Sequence, residues 1–100
     1  MNATSDLTVA NTIAQQIGGK AFYMMGTQRK FGGSNFLIFN IRGSKIANKV
    51  QVTLDPSDTY TVEFFKLRGL NCKSVAKFSD IYVDALRGVI ESTTGLALSL

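Results

Sequence analysis

The sequence contains no histidine, the side chain that most often ligates transition metals and that usually serves as general base near neutral pH. Its absence excludes Ser-His-Asp triads and histidine-based metal sites. The seven acidic residues are scattered without an obvious catalytic pair. An enzyme using Tyr60, Glu63 and Lys66 is the remaining catalytic alternative, but strand alternation sends Tyr60 and Glu63 to opposite sheet faces. We therefore expect a protein that is not an enzyme and that uses no metal and no cofactor.

Cysteine and proline each occur only once. A single cysteine, Cys72, cannot form an internal disulfide or a cysteine-based zinc site, and we expect it to be a small buried hydrophobic residue. With 45% hydrophobic and 18% charged residues, the composition is typical of one compact soluble domain. The expected domain spans residues 1–100.

Long hydrophobic runs are also missing. No uninterrupted apolar stretch reaches the roughly 18 residues that a membrane-spanning helix needs. The first residues, MNATSDLTVANTIAQQ, lack the basic and continuous apolar regions of a secretory signal. The expected location is the cytoplasm, without membrane contact.

Two segments have the apolar spacing of amphipathic helices. The first covers residues 6–17 and is followed by Gly18 and Gly19, where a left-handed C-terminal cap belongs. Its apolar positions are Leu7, Ala10, Ile13, Ala14 and Ile17. The second should begin at Ser79 as N-cap, with Asp80 in its first turn, and should end at Gly95. Its apolar positions are Ile81, Tyr82, Ala85, Leu86, Val89 and Ile90.

Four segments between these helices are predicted to be strands. They cover residues 20–26, 35–42, 49–54 and 59–65, with a turn at Asp55-Pro56-Ser57-Asp58 and a loop over TQRKFGGS. A short additional edge segment is expected near residues 74–77. In the last three strands, apolar residues alternate with polar or mixed ones, which defines one apolar and one mixed sheet face. The apolar set is Leu37, Phe39, Ile41, Val50, Val52, Leu54, Tyr60, Val62 and Phe64.

The order of these elements predicts the fold class. Short connections favour an antiparallel meander, and both helices can bury their apolar stripes on the same sheet face. We expect an α+β two-layer sandwich with the element order α-β-β-β-β-α. The second sheet face is then left to water or to a partner.

Positive charge is concentrated in the predicted strands and loops. Residues 20–77 contain ten basic and three acidic residues, a net charge of +7, whereas the flanking helical segments together carry −3. This asymmetry should steer the sheet side of the molecule toward anions.

The candidate binding surface is the open sheet face with its adjoining loops. Phe36 and Phe65 are expected to project from that face beside cations, the arrangement by which sheet platforms stack the bases of single-stranded nucleic acid. Basic residues on the strands and loops would contact phosphates. The candidate binding residues are Arg29, Lys30, Phe36, Arg42, Lys45, Lys49 and Phe65.

Other interpretations of this surface stay open. The basic residues could serve only solubility and the protection of sheet edges. A second copy of the chain could cover the apolar cluster of Phe36, Ile38 and Phe65, which would give a homodimer. The glycine-rich segment GTQRKFGGS lacks the spacing of a phosphate-binding P-loop, so turn geometry is its better explanation.

Two stretches, MMGTQRKFGGSNFLIFNIRGSKIANKVQVTLDPSDTYTVEFFKLRG and SDIYVDALRGVIESTTGL, resemble small proteins of bacteriophages and related mobile elements. Most of those proteins have no assigned function. The resemblance covers nearly the whole chain but contains no catalytic or ligand signature. It implies a non-catalytic accessory protein that binds a host protein or nucleoprotein complex, such as a defence nuclease, and inhibits it. Direct binding of single-stranded nucleic acid is the alternative.

Overall fold

A computed structural model describes residues 7–27 and 29–96 of the protein. Five strands form one antiparallel sheet in sequential order, accompanied by three α-helices. The elements are α1 (Thr8–Ile17), α2 (Gly19–Met24), β1 (Lys30–Gly32), β2 (Phe36–Asn40), β3 (Lys49–Leu54), β4 (Tyr60–Arg68), β5 (Asn71–Ile81) and α3 (Leu86–Thr94), with a 3₁₀ turn at Val83–Ala85. In this described part, no helix has the length and apolar character needed to cross a membrane.

The predicted α+β class and antiparallel meander are confirmed, but the sheet has five strands instead of four. The segment predicted as the first strand, residues 20–26, is mostly α2. The true first strand lies inside the predicted loop TQRKFGGS, and residues 71–81 form a long fifth strand where a short edge segment was expected.

Helix α2 forms because its apolar residues follow helical spacing. Ala21, Phe22 and Met25 are buried, whereas Tyr23 is 86% exposed, and strict strand alternation would not give this pattern. The ring of Phe22 packs edge-on against Phe39 of β2, with 5.1 Å between ring centroids. The aromatic content favoured a strand, but tertiary packing overrides that local preference.

The core lies between the helices and one face of the sheet. The alternation predicted for β2, β3 and β4 is confirmed, because the predicted inward residues are buried except Leu54, which is half-buried and packs against the core, and their neighbours within the strands are only half-buried. One cluster joins sheet and helices: Ala10, Ile13, Ile17, Ala21, Phe22, Met25, Leu37, Phe39, Ile41, Ala47, Val50, Val52, Tyr60, Val62, Phe64, Leu86 and Ile90. In α1, Ala10, Ile13 and Ile17 are buried as predicted, and Gly18 follows with φ 96°. The predicted helix start at Asp6 lies outside the described residues.

The predicted start of the second helix is wrong. Ser79 and Asp80 belong to β5, which remains paired with β4 as far as the Tyr60–Ile81 pair. Asp80 has φ 58° beside a register shift, which marks a bulge rather than a helical turn. Helix α3 therefore begins only at Leu86. Its predicted end is confirmed, because Gly95 adopts the left-handed conformation and donates its backbone N–H to the carbonyl of Glu91.

Two smaller predictions have opposite outcomes. The turn at residues 55–58 is confirmed, and the Asp58 N–H donates to the Asp55 carbonyl at 3.0 Å. Cys72, however, is exposed. It pairs with Leu67 near the end of the β4–β5 hairpin, on the sheet face that is turned away from the helices.

Candidate binding surfaces

The sheet face turned away from the helices carries three cross-strand rows, which we call the open face. One row contains Asn40, Lys49, Phe65 and Ser74, the next contains Phe31, Ile38, Gln51, Glu63 and Lys77, and the third contains Phe36, Thr53 and Thr61. These residues alternate with the buried ones along their strands, so they project to the opposite side. In β2, β3 and β4 they are half-buried.

An aromatic pair occupies one edge of the open face. The rings of Phe31 and Phe36 lie 6.3 Å apart between centroids, and Phe31 is 66% exposed. Gly33 permits this arrangement, because a Cβ atom at that position would collide with the Phe36 ring. Phe31 was not among the predicted binding residues, since its short strand lies in a glycine-rich segment that predicted a loop. Its alternation with Lys30 was the available signal.

Phe65 does not join this aromatic pair. It lies opposite Lys49, whereas Phe36 lies opposite Thr53, four residues further along β3. Four residues correspond to about 14 Å along the strand, and two inter-strand spacings add about 10 Å across it. Phe36 and Phe65 therefore do not form one continuous stacking platform.

Two cations lie at the apolar end of the open face. Arg29 and Lys49 line a shallow pocket of about 270 Å³. Its other lining residues are Phe31, Ile38, Phe39, Asn40 and Leu67. We call this region the apolar-basic end. It combines an exposed aromatic ring and aliphatic side chains with positive charge.

The other end of the open face is polar and contains both signs of charge. A pocket of about 290 Å³ is lined by Gln51, Thr53, Asp55, Thr61, Glu63, Lys77 and Ser79. The Thr61 hydroxyl donates to Asp55 Oδ2 at 2.6 Å, and the Ser74 hydroxyl donates to Glu63 Oε2 at 2.7 Å. This pocket is therefore lined by two acidic side chains and one basic side chain, whereas the pocket at the apolar-basic end is lined by two basic side chains and no acidic one.

The seven predicted binding residues divide between the two sides of the sheet. Arg29, Phe36, Lys49 and Phe65 lie on or beside the open face. Lys30 instead places its ammonium 4.5 Å from the Phe22 ring centroid, on the helix side.

Arg42 and Lys45 also lie off the open face. Arg42 donates its backbone N–H to the Met25 carbonyl, and its side chain packs beside Gly26. Lys45 lies in the following loop. The prediction for Arg42 extended strand alternation past Asn40, where β2 ends.

Lys45 lines a second surface that the sequence did not predict, which we call the basic groove. The groove has a volume of about 450 Å³ and is lined by Lys45, Ile46, Lys66, Arg68, Asn71, Lys73 and Val75. Four of these residues are basic and none is acidic. Lys66 and Arg68 alternate in step with buried Phe64, so they lie on the helix side of β4 but beyond the helices. The pattern Lys-x-Arg in FKLRGLNCK was the sequence signal for it.

Tyr60 is an ionisable group with a perturbed pKa. Burial raises the pKa of Tyr60 above its ordinary value of 10.0, and its hydroxyl donates a hydrogen bond to Gln16 Oε1. Tyr60 lies in the core rather than on either surface. Within residues 7–27 and 29–96, no group of three or more cysteine or acidic side chains is placed to hold a metal ion.

Comparison of the chain with protein-family models, with curated proteins and with solved structures finds no match.

Proposed function

We propose that this protein is a non-catalytic binding protein that docks on a host nucleoprotein, such as a defence nuclease, through its open face and adjoining loops. The observation that carries the proposal is the apolar-basic end, where Arg29 and Lys49 adjoin Phe31, Ile38 and Leu67. The class of partner comes from the resemblance to small bacteriophage proteins. An inhibitory role follows if the docked chain covers a surface that the nuclease needs.

The chemistry of this end suits a protein surface next to nucleic acid. Phe31 is 66% exposed, and burying such a ring on binding contributes about 1.5–3 kcal/mol. Aromatic and arginine side chains are enriched among the residues that dominate binding energy at interfaces. Arg29 and Lys49 would add charge complementarity to acidic or phosphate-bearing surfaces and raise the association rate.

Base stacking explains the open face less well. One strand and one row lie between Phe36 and Phe65, and that row presents Ile38 and Gln51. Neither of these side chains offers a ring for a stacked base. A protein partner can use the aliphatic and aromatic residues together, whereas a single strand would find stacking rings only at the Phe31–Phe36 edge and at Phe65.

Direct binding of single-stranded nucleic acid remains the second candidate because of the Phe31–Phe36 pair. Two rings 6.3 Å apart beside Arg29 could hold neighbouring bases, each contributing roughly 1–3 kcal/mol. This candidate uses only one edge of the face. It predicts steep loss of affinity with salt in the absence of any protein partner.

A pull-down followed by reconstitution tests the main proposal. The tagged chain is expressed in bacteria and recovered with and without nuclease treatment, and the captured partner is then purified and rebound. We expect a complex that survives nuclease treatment and whose affinity falls at least about tenfold with Phe31→Ala or Lys49→Glu. A tenfold change corresponds to about 1.4 kcal/mol, which is close to the lower value given above for burying the Phe31 ring. Tyr23→Ala and Arg87→Glu are matched controls, because both side chains are exposed on helices.

Two outcomes would contradict the proposal. Loss of the partner on nuclease treatment, with oligonucleotide binding by the purified chain that requires Phe31, would favour direct nucleic-acid binding. A concentration-dependent dimer that Phe31→Ala dissociates would show instead that a second copy of the chain covers the open face.

A further inference from the structure

Strands β4 and β5 continue beyond the helices as a hairpin, and we call residues 66–75 the arm. Every residue from Leu67 to Val75 is exposed. The arm turns at Gly69 and Leu70, where Gly69 has φ 55° and Leu70 is fully exposed. A hairpin of this kind is not needed to enclose the core. Its side chains are therefore available for a ligand.

Like charges face each other across the arm. Lys66 of β4 lies directly opposite Lys73 of β5, with Arg68 two residues from Lys66. Lys45 approaches from the neighbouring loop, and the lining of the groove contains no carboxylate to balance these charges. Like charges at directly opposite positions destabilise a strand pair. An anion bound between them would relieve that repulsion, so the fold itself favours an occupied groove.

The loop that contributes Lys45 is attached to the arm. The Asn48 side chain donates its amide to the Leu67 carbonyl at 2.9 Å and accepts the Leu67 N–H at 2.8 Å. The Ser44 hydroxyl oxygen accepts the Ile46 N–H at 3.1 Å. Lys45 is thus anchored near the arm before any ligand arrives. This preorganisation lowers the cost of ordering the site on binding.

We propose that the basic groove binds the sugar-phosphate backbone of a nucleic acid without sequence preference. Lysine and arginine neutralise phosphates, and arginine can hold two phosphate oxygens at once. The lining contains no aromatic ring, so bases cannot stack there and duplexes should bind at least as well as single strands. The groove lies on the helix side of the sheet. The proposal therefore stands independently of any protein partner on the open face.

A lipid surface suits the arm less well. Membrane-docking elements gather their apolar residues on one side, flanked by cations. Here Leu67 lines the pocket on the open face, Leu70 occupies the turn, and Val75 lies in the groove among the lysines. No single orientation would bury all three side chains in a bilayer. The cations also line a recess, which a phosphate backbone can enter.

The salt dependence of binding to a short DNA duplex of mixed sequence tests this proposal with the chain alone. Four neutralised phosphates predict a slope of log K against log salt of about −3.6. The double variant Lys66→Gln/Lys73→Gln should reduce the slope to about −1.8. The double variant Lys20→Gln/Arg87→Gln removes the same charge from exposed helix positions and should leave the slope unchanged.

A second variant separates binding from folding. Lys73→Glu turns the facing pair with Lys66 into an opposite-charge pair, so its melting temperature should equal or exceed that of the wild type while duplex binding is lost. The proposal is overturned if the groove variants keep the wild-type slope, or if Phe31→Ala weakens duplex binding as much as they do. It is also overturned if phosphatidylserine vesicles bind more tightly than DNA through the same lysines.

Discussion

Single side chains along β4 mark where the core ends and the arm begins. Tyr60, Val62 and Phe64 point toward the helices and are buried, and the next residues with the same orientation are Lys66 and Arg68. A charged group buried without a partner carries a large desolvation cost. The change from phenylalanine to lysine therefore coincides with the edge of the helix layer. One strand thereby serves the core at one end and the basic groove at the other.

Cys72 gives a residue-scale prediction. Because it is exposed on the arm, its thiol should react with iodoacetamide in the folded protein at nearly the rate measured in denaturant. Mass spectrometry of samples quenched over time measures both rates. Protection of the thiol until the protein unfolds would contradict the described position of Cys72.

The raised pKa of Tyr60 predicts how the stability of the folded protein changes at alkaline pH. Burial raises its pKa above 10.0 in the folded protein, so the unfolded chain releases the proton at a lower pH. The stabilisation from this group is complete below about pH 10 and is lost as pH rises through the folded-state pKa. Urea midpoints across this range should fall less steeply for Tyr60→Phe than for the wild type.

The same substitution has an effect at neutral pH. Tyr60→Phe removes the hydrogen bond to Gln16 and should lower the free energy of unfolding by about 0.5–1.5 kcal/mol. Tyr23→Phe is the matched control, because its ring is 86% exposed and its hydroxyl has no comparable buried partner to lose. Equal dependence of the urea midpoint on alkaline pH for wild type and Tyr60→Phe would contradict the raised pKa of Tyr60 in the folded protein.

At the scale of elements, the sequence pattern predicts the bounds of a regularly alternating strand well. It does not predict how far pairing with a neighbouring strand extends an irregular one. The bounds of β3 were predicted to the residue, because alternation over residues 49–54 is strict. The end of β5 was not, because pairing with β4 extends it through Ser79 and Asp80. Those two residue types favour helix starts locally. The sheet ladder provides hydrogen bonds that this local preference cannot outweigh.

The outer edge of β5 has features that protect it against pairing with another chain. An eleven-residue edge strand presents unpaired backbone groups that invite pairing with another chain. Two register shifts interrupt its ladder with β4, and Lys73 and Lys77 add charge. Bulges and lysines are the features that natural sheets use against such pairing. The lysines of β5 are therefore suited to protecting this edge, and Lys73 combines that position with its place in the lining of the basic groove.

Two glycine substitutions test how the helices and strands pack, and we expect them to change stability in opposite directions. At Gly32 in β1, an added Cβ atom would lie 2.6 Å from the Ala10 Cβ atom of α1, so Gly32→Ala should destabilise the protein by about 1–3 kcal/mol. Gly88 lies within α3 with no atom near an added Cβ, so Gly88→Ala should stabilise it by about 0.5–1 kcal/mol. Urea denaturation measures both, and equal effects would contradict the close approach of α1 to β1.

At the scale of the whole molecule, both proposed surfaces depend on the β4–β5 hairpin. Phe65 and Leu67 face the open side, and Lys66 and Arg68 face the groove. Sequence reasoning found the charge excess and the open face because both follow from composition and alternation. It missed the groove because Lys45 reaches the arm through a loop. The alternation of side chains along a strand predicts which sheet face a residue occupies, but it does not predict the path of a loop.

Hydrogen exchange should distinguish the part of the β4–β5 hairpin that lies in the core from the arm. Amides of residues 60–64 pair within the core and should exchange only through large-scale unfolding, whereas arm amides should open locally and exchange much earlier. Adding DNA duplex should slow exchange in the arm, and Lys66→Gln/Lys73→Gln should abolish that effect. Exchange in β3 provides the internal control, because Val50 and Val52 are fully buried. Equal protection of arm and core without DNA would show that residues 66–75 unfold together with the core rather than as a separate arm.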